Sequence, residues 1–173
     1  MTTYKELLKN INTFILDYDG VMTNGIVILT ESDEPLRTAN VKDGYAIQLA
    51  IKKGYRIAVI SGGKSRTIHK RLSALKVTDI FLGANNKLKI FEDYVMKHKL
   101  GMDNVLYMGD DIPDYTIMKE VGVATCPADA AEEIKAVSHY ISHYKGGEGC
   151  VREIIEQVMK VQGKWMDTDA HEW

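Results

Sequence analysis

A rhythm of short apolar runs constrains this chain more than any other feature. Runs rich in β-branched or aromatic residues sit at 13–16, 57–60, 79–82, 104–108 and 122–125, and most lead into a polar or glycine-rich turn. Helical apolar spacing then takes over at about 44–53, 65–75, 87–99, 113–121 and 149–162. Continuous apolar runs of four or five residues suit strands covered on both faces. Alternating with helices across short connections, they predict an α/β fold, a Rossmann-like parallel sheet with helices on both faces. No linker, repeat or low-complexity tract interrupts the 173 residues, so a single domain is expected over 1–164.

Two segments break the rhythm. Residues at about 25–40, GIVILTESDEPLRTAN, read as two strands around a polar turn, a protruding β-hairpin. A lone hairpin is marginal in water, so Ile26, Val27, Ile28 and Leu29 predict a packing or assembly surface. The stretch 165–173 has no clear period and is expected to be a C-terminal tail. Trp165 and Trp173 make docking on a neighbour the alternative.

Composition removes whole classes of function. The net charge is −2, which gives no counterion-release drive toward nucleic acid. No apolar stretch approaches the roughly 20 residues of a membrane span. The first residues, MTTYKELLKNINTF, do not read as a secretory leader. Cys126 and Cys150 form no CxxC or metal-ligand spacing, and two thiols without an export signal suit the reducing cytoplasm.

Ligands of an open parallel sheet bind beyond the carboxyl ends of its strands. There this chain places Asp17 and Asp19 after the first run, and Ser61, Gly62, Gly63 and Lys64 after the second. Lys87 follows the third, and Asp110 and Asp111, with Asp114 a helical turn on, follow the fourth. Any one of these reads as a solvated loop charge; the four together suit phosphoryl transfer. Asp17 and Asp19 leave an extended chain on one side at different depths, so one can attack phosphorus while the other reaches the leaving group. A carboxylate facing a phosphate repels it by about 1 kcal/mol at 4 Å in water and about 4 at an effective dielectric of 20. A hard cation, Mg²⁺, removes that penalty with Asp17 and Asp110 as oxygen ligands. Ser61 and the amides of Gly62 and Gly63 suit phosphate oxygens, and Lys87 a point charge where negative charge gathers.

In their order and placement these residues resemble the haloacid dehalogenase superfamily of phosphohydrolases. The carrying motifs are Asp17-Tyr18-Asp19-Gly20, Ser61-Gly62, Lys87 and GDDIPD from Gly109 to Asp114. The resemblance implies that Asp17 is the nucleophile that becomes an aspartyl phosphate. Asp19 then protonates the leaving alkoxide and activates water. It further implies phosphate contacts from Ser61, Gly62 and Lys87, a Mg²⁺ site of Asp17, the Asp19 carbonyl and Asp110, and orienting roles for Asp111 and Asp114.

Many such phosphatases insert a cap domain after the first or second strand. Only 42 positions separate Asp19 from Ser61 and 26 separate Ser61 from Lys87, all filled by the hairpin, two helices and two strands, so no cap domain is expected. The segments DYDGVMTNG, NVKDGYAIQLA, GDDIPDYTIM and KGGEGCVRE are similar to the capless family acting on 3-deoxy-D-manno-octulosonate (KDO) 8-phosphate. That family implies a homotetramer built through the hairpins, with adjacent subunits closing each site over a small sugar acid phosphate. Gly63 departs from the Gly-Arg of many members and from the Glu of related nine-carbon phosphatases. Lys42, Lys64, Arg66 and Arg71 are therefore the candidate cations for the sugar carboxylate, each also readable as a charge on a helix face. Leu36-Arg37-Thr38 and a Lys42-Asp43-Gly44 turn look more like the eight-carbon group.

Two rivals remain. A receiver-type phosphoacceptor domain needs an Asp after the third strand, where Leu82-Gly83-Ala84 stands. A silent scaffold gives no reason to gather mutually repelling carboxylates. His69, His98, His139, His143 and His171 are dispersed, with His139 and His143 flanking a strand-like stretch, and read as structural or surface residues.

Overall fold

The computed structural model describes residues 3–31 and 34–171. Six parallel strands form one sheet in the order β3-β2-β1-β4-β5-β6. They are β1 (Thr13–Leu16), β2 (Arg56–Ser61), β3 (Asp79–Leu82), β4 (Val105–Met108), β5 (Val123–Cys126) and β6 (Tyr140–Ile141). β1 is central, with Phe14 in register with Ile57 on one side and Leu106 on the other. The expected α/β parallel sheet is thus present.

The strand alternation sorts two cores. Phe14, Leu16, Ile57 and Val59 join one cluster, while Ile15, Ala58 and Ile60 join the other. Helices α2 (Val41–Lys52), α3 (Arg66–Ala74) and α7 (Cys150–Val161) cover the first, through Ile47, Ile68 and Ile155 among others. Helices α4 (Lys87–His98), α5 (Tyr115–Met118) and α6 (Glu132–Val137) cover the second through Phe91, Ile117 and Ile134. Each fully buried side chain of this size contributes about 1.5–3 kcal/mol.

Capping residues fix where the helices begin, and so where the strand-end loops stop. Asn40 accepts from the amides of Lys42 and Asp43, Ser65 from Thr67, and Asn86 from Lys89. The last cap puts Lys87 in the first turn of α4, at the carboxyl edge of the sheet. Asp43 in turn accepts from the Arg152 amide at 2.7 Å, placing a carboxylate at the positive end of α7.

Several local expectations are corrected. The hairpin closes through one antiparallel bridge, Ile28 opposite Leu36, rather than two strands. Among the described residues no third strand supports it. Its turn at Ser32 and Asp33 lies outside the described residues. Lys42-Asp43-Gly44 is the first turn of α2, not a turn between elements. The helix expected at 113–121 is a 3₁₀ turn, Ile112–Asp114, followed by the short α5. Helices α1 (Tyr4–Leu7) and α6 were not legible, being only four and six residues long. No cap domain lies between β1 and α4 among the described residues.

The tail does not start at Trp165 in any structural sense. That indole is 5% exposed, sits edge-on to Tyr45 at 6.2 Å and lies under the Arg152 guanidinium at 5.1 Å. Trp173 lies outside the described residues. Trp165→Ala removes a buried aromatic and should cost about 3 kcal/mol. In a domain of this size that is a melting-temperature loss of about 10 °C. A urea melt with an unchanged midpoint would place Trp165 on the surface instead.

Candidate active site

The carboxyl edge of the sheet gathers Asp17, Ser61, Lys87, Asp110 and Asp114 from four chain segments. β1 delivers Asp17, whose amide extends the ladder by donating to Met108 at 3.0 Å. Lys87 Nζ donates to Asp17 Oδ2 at 2.7 Å and to Asp114 Oδ1 at 2.8 Å, all three side chains being buried. Tyr107 OH donates to the same Asp114 oxygen at 2.6 Å, and the Asp110 amide donates to Asp114 Oδ2 at 3.2 Å. Asp114 is therefore the hub that fixes Lys87 and the Asp110 backbone.

Asp17, Asp110 and Asp114 each offer an oxygen such that the three lie within 4.8 Å of one another. Burial raises the Asp17 carboxyl to about 7, with the Asp114 charge adding to it and Lys87 opposing. Burial likewise lifts Asp110 to about 8, reinforced by Asp17 and then Asp114. Lys87 stays held up, because the two carboxylates outweigh its own desolvation.

This donor set fits a hard divalent cation. It is all oxygen, and one ammonium faces three carboxylates. Asp110 Oδ1 is buried without a hydrogen-bond partner among the described residues. Room for it depends on Gly20, at φ +86°, where a Cβ would come within 2.0 Å of Asp110 Oδ2. No histidine or cysteine belongs to the group.

Asp19 sits one step outward. Ser61, 1% exposed, accepts from the Gly63 amide at 3.2 Å through Oγ. A Cβ on Gly63 would lie 2.8 Å from Asp19 Oδ2 and 3.5 Å from Ser61 Oγ, so the loops that carry Asp19 and Ser61 face each other across that glycine. Gly62 beside it is exposed, with nothing closer than 3.9 Å to where a side chain would start. Asp111 does not join the cluster; it is exposed and accepts from the Ile112 amide as a cap.

The four candidate substrate cations are dispersed. Lys42 lines a cavity of about 420 Å³ with Tyr144, Arg152 and Lys160. Lys64 lays its chain against Gly83. Arg66 is 94% exposed beside Glu34, and Arg71 lies against Gly44. Sequence reasoning gave no role to Arg37, which forks onto Asp19 with Nε to Oδ1 at 2.6 Å and Nη2 to Oδ2 at 3.1 Å. It also missed Tyr107. A phenol two positions before Gly109, inside a buried strand, was the available signal, since a buried hydroxyl needs a partner.

The loop KGGEG seals one side. The Gly147 amide donates to Val21 at 3.0 Å, and a Cβ on Gly146 would meet the Gly20 carbonyl oxygen at 1.9 Å. Only glycine lets this backbone lie on the loop that carries Asp17 and Asp19.

A carboxyl raised in the fold stabilises it fully only below its unfolded value near 4. That contribution is lost as pH climbs through the folded values of about 7 and about 8. Chelated protein should therefore melt lower at pH 8 than at pH 6. Divalent cation at 100-fold over its Kd adds about 2.7 kcal/mol. The cation-induced rise in melting temperature should grow from pH 6 to pH 8, as protons stop competing; a rise that shrinks would contradict the site.

No family model matches the chain. A curated relative, the 3-deoxy-D-manno-octulosonate 8-phosphate phosphatase of Salmonella typhi, is 35% identical over 156 residues, 90% of this chain and 83% of the relative. The solved structure of the phosphatase of that name from Yersinia pestis superposes with a TM-score of 0.90 at 31% identity, covering 92% of this chain and 86% of that one. The structure from Moraxella catarrhalis, in complex with magnesium, phosphate and KDO, gives 0.89 at 30% identity, covering 92% and 91%. The chain belongs to the 3-deoxy-D-manno-octulosonate 8-phosphate phosphatase family of the haloacid dehalogenase superfamily.

Proposed function

We propose that this protein hydrolyses KDO 8-phosphate to KDO and phosphate, with Mg²⁺, through an aspartyl phosphate on Asp17. The observation that carries the reading is the Asp17–Lys87–Asp114 triad buried beside Asp110 at one sheet edge. Asp17 attacks phosphorus, forming a phosphorus–oxygen bond as the bond to the sugar oxygen breaks. Asp19 gives that oxygen a proton, then takes one from the water that opens the acyl phosphate and returns Asp17 with inorganic phosphate. Ser61, the Gly62 amide and Lys87 hold phosphate oxygens. Asp17, Asp110 and the Asp19 carbonyl would hold Mg²⁺, with Asp114 orienting them, and the ion when bound offsets repulsion between the dianion and Asp17.

Turnover of KDO 8-phosphate against a nine-carbon keto-sugar acid 9-phosphate tests the substrate. A higher kcat/KM for the eight-carbon ester is expected, and the reverse would transfer the chain to the nine-carbon reading. Asp17→Asn should stay folded and lose activity by many orders of magnitude, since uncatalysed monoester hydrolysis is among the slowest reactions known.

We further infer a homotetramer in the cytoplasm, with the hairpins as the assembly surface. Ile26, Ile28, Leu29 and Leu36 are 62%, 53%, 86% and 53% exposed in one chain, which supports a covering partner. Ile28→Asp puts an unpaired carboxylate into that contact, a cost of several kcal/mol. It should yield a smaller folded species by light scattering, with efficiency on KDO 8-phosphate falling more than on a small generic phosphate ester. A folded monomer as efficient as the assembly would remove the partner from the site.

A further inference from the structure

Asp19 is not held by its own loop. Among the described residues, both hydrogen bonds to its carboxylate come from Arg37, eighteen residues away on the returning limb of the hairpin. The guanidinium is 11% exposed and Asp19 30%, so the fork lies at the mouth of the site. Arg37 Nη1 turns back to the Pro35 carbonyl at 3.5 Å, which ties the guanidinium to its own limb. Leu36, the next residue back, makes the single bridge to Ile28. Asp19 Oδ1 takes the shorter bond, while Oδ2 faces the space left open by Gly63. A side chain at 63 would start 2.8 Å from that oxygen and 3.4 Å from Arg37 Nη2, so the glycine is what admits the pair. Lys87, the buried ammonium of the site, donates to Asp17 and Asp114 instead.

The geometry points to Arg37 as a positioning residue that aims Asp19 at the leaving-group oxygen and couples the hairpin to the chemistry. The inference rests on the reading of Asp19 as the acid and base of the proposed reaction. A planar fork fixes both the location and the plane of a carboxylate, which a single ammonium contact cannot do. Proton delivery by a positioned group is worth about 10²–10⁴-fold, so misaiming Asp19 forfeits part of that factor. The loss depends on the leaving group. A sugar alkoxide needs the proton as its bond breaks; a nitrophenolate hardly does.

The experiment compares wild type, Arg37→Gln and Arg37→Lys on KDO 8-phosphate, a pentose 5-phosphate and p-nitrophenyl phosphate, each protein checked by far-UV circular dichroism. Arg37→Gln should lower kcat/KM, which reads the steps up to departure of the leaving group and not the later water step that all three esters share, on both sugar esters about tenfold or more beyond its effect on the aryl ester. Arg37→Lys should recover part of the difference, and it decides the matter if Arg37→Gln does not fold. An equal fall in kcat/KM on all three esters overturns the proposal, because Arg37 would then act without regard to the leaving group. A fall confined to the ester that carries a carboxylate also overturns it, in favour of direct substrate contact. The parent reading fails separately, by wild-type indifference to KDO 8-phosphate or by full alkyl-ester activity in Asp19→Asn.

Discussion

One buried ammonium shared by two buried carboxylates organises the carboxyl edge of this sheet. Asp17 and Asp114 are brought together by parallel strands that end side by side, and they would repel if Lys87 did not lie between them. Such a triad is weak as a source of net stability, because desolvation of three charges offsets most of their attraction. Its consequence is positional. Lys87 is pinned to the first turn of α4, Asp114 is pinned by Tyr107, and the Asp110 amide is pinned by Asp114. Three strand ends thereby hold fixed relative positions before any ligand arrives, which is the preorganisation that charge stabilisation in phosphoryl transfer requires.

The triad leaves an electrostatic deficit. Three carboxylates and one ammonium share one site, and burial lifts both Asp17 and Asp110 above the ordinary carboxylate range. The unpartnered Asp110 Oδ1 and the space kept by Gly20 mark where the deficit is concentrated. A divalent cation resolves it without changing the fold, since the oxygens already converge.

Outside that rigid centre the structure becomes thin. The hairpin is held by a single bridge at Ile28 and Leu36, and its apolar side chains face outward. What ties it to the loop that carries Asp17 and Asp19 is Arg37 on Asp19, with Asn40 at its base donating to the Gly147 carbonyl at 3.0 Å. Arg152 at the start of α7 lies over Tyr45 and Trp165 while its amide meets Asp43, so the chain end, α2 and the glycine loop brace one another. The site is thus firm on the side of the sheet and glycine loop, and slight on the side of the hairpin.

The sequence by itself determined the parallel sheet and the edge of it where the candidate site residues gather. Apolar runs such as TFIL and VLYM are long enough to be buried on both faces, and a parallel strand can end only where its next polar residues are exposed to ligand. Asp17, Ser61, Lys87 and Asp110 were legible for that reason. The tertiary structure alone decided which charges meet. Arg37 reaches Asp19 through a hairpin path with no local period, and Lys42, Arg66 and Arg71 lie on two helices, with Lys64 in the loop before the Ser65 cap, in directions that spacing near Ser61 could not fix. Asp111 and Asp114 look alike in the string GDDIPD, yet a 3₁₀ turn sends one to solvent and buries the other against Lys87. Trp165 read as tail because its partners, Tyr45 and Arg152, lie on two other helices. Periodicity reports the face of one element against a core; contacts between distant segments depend on how several elements pack, and no single stretch of sequence encodes that.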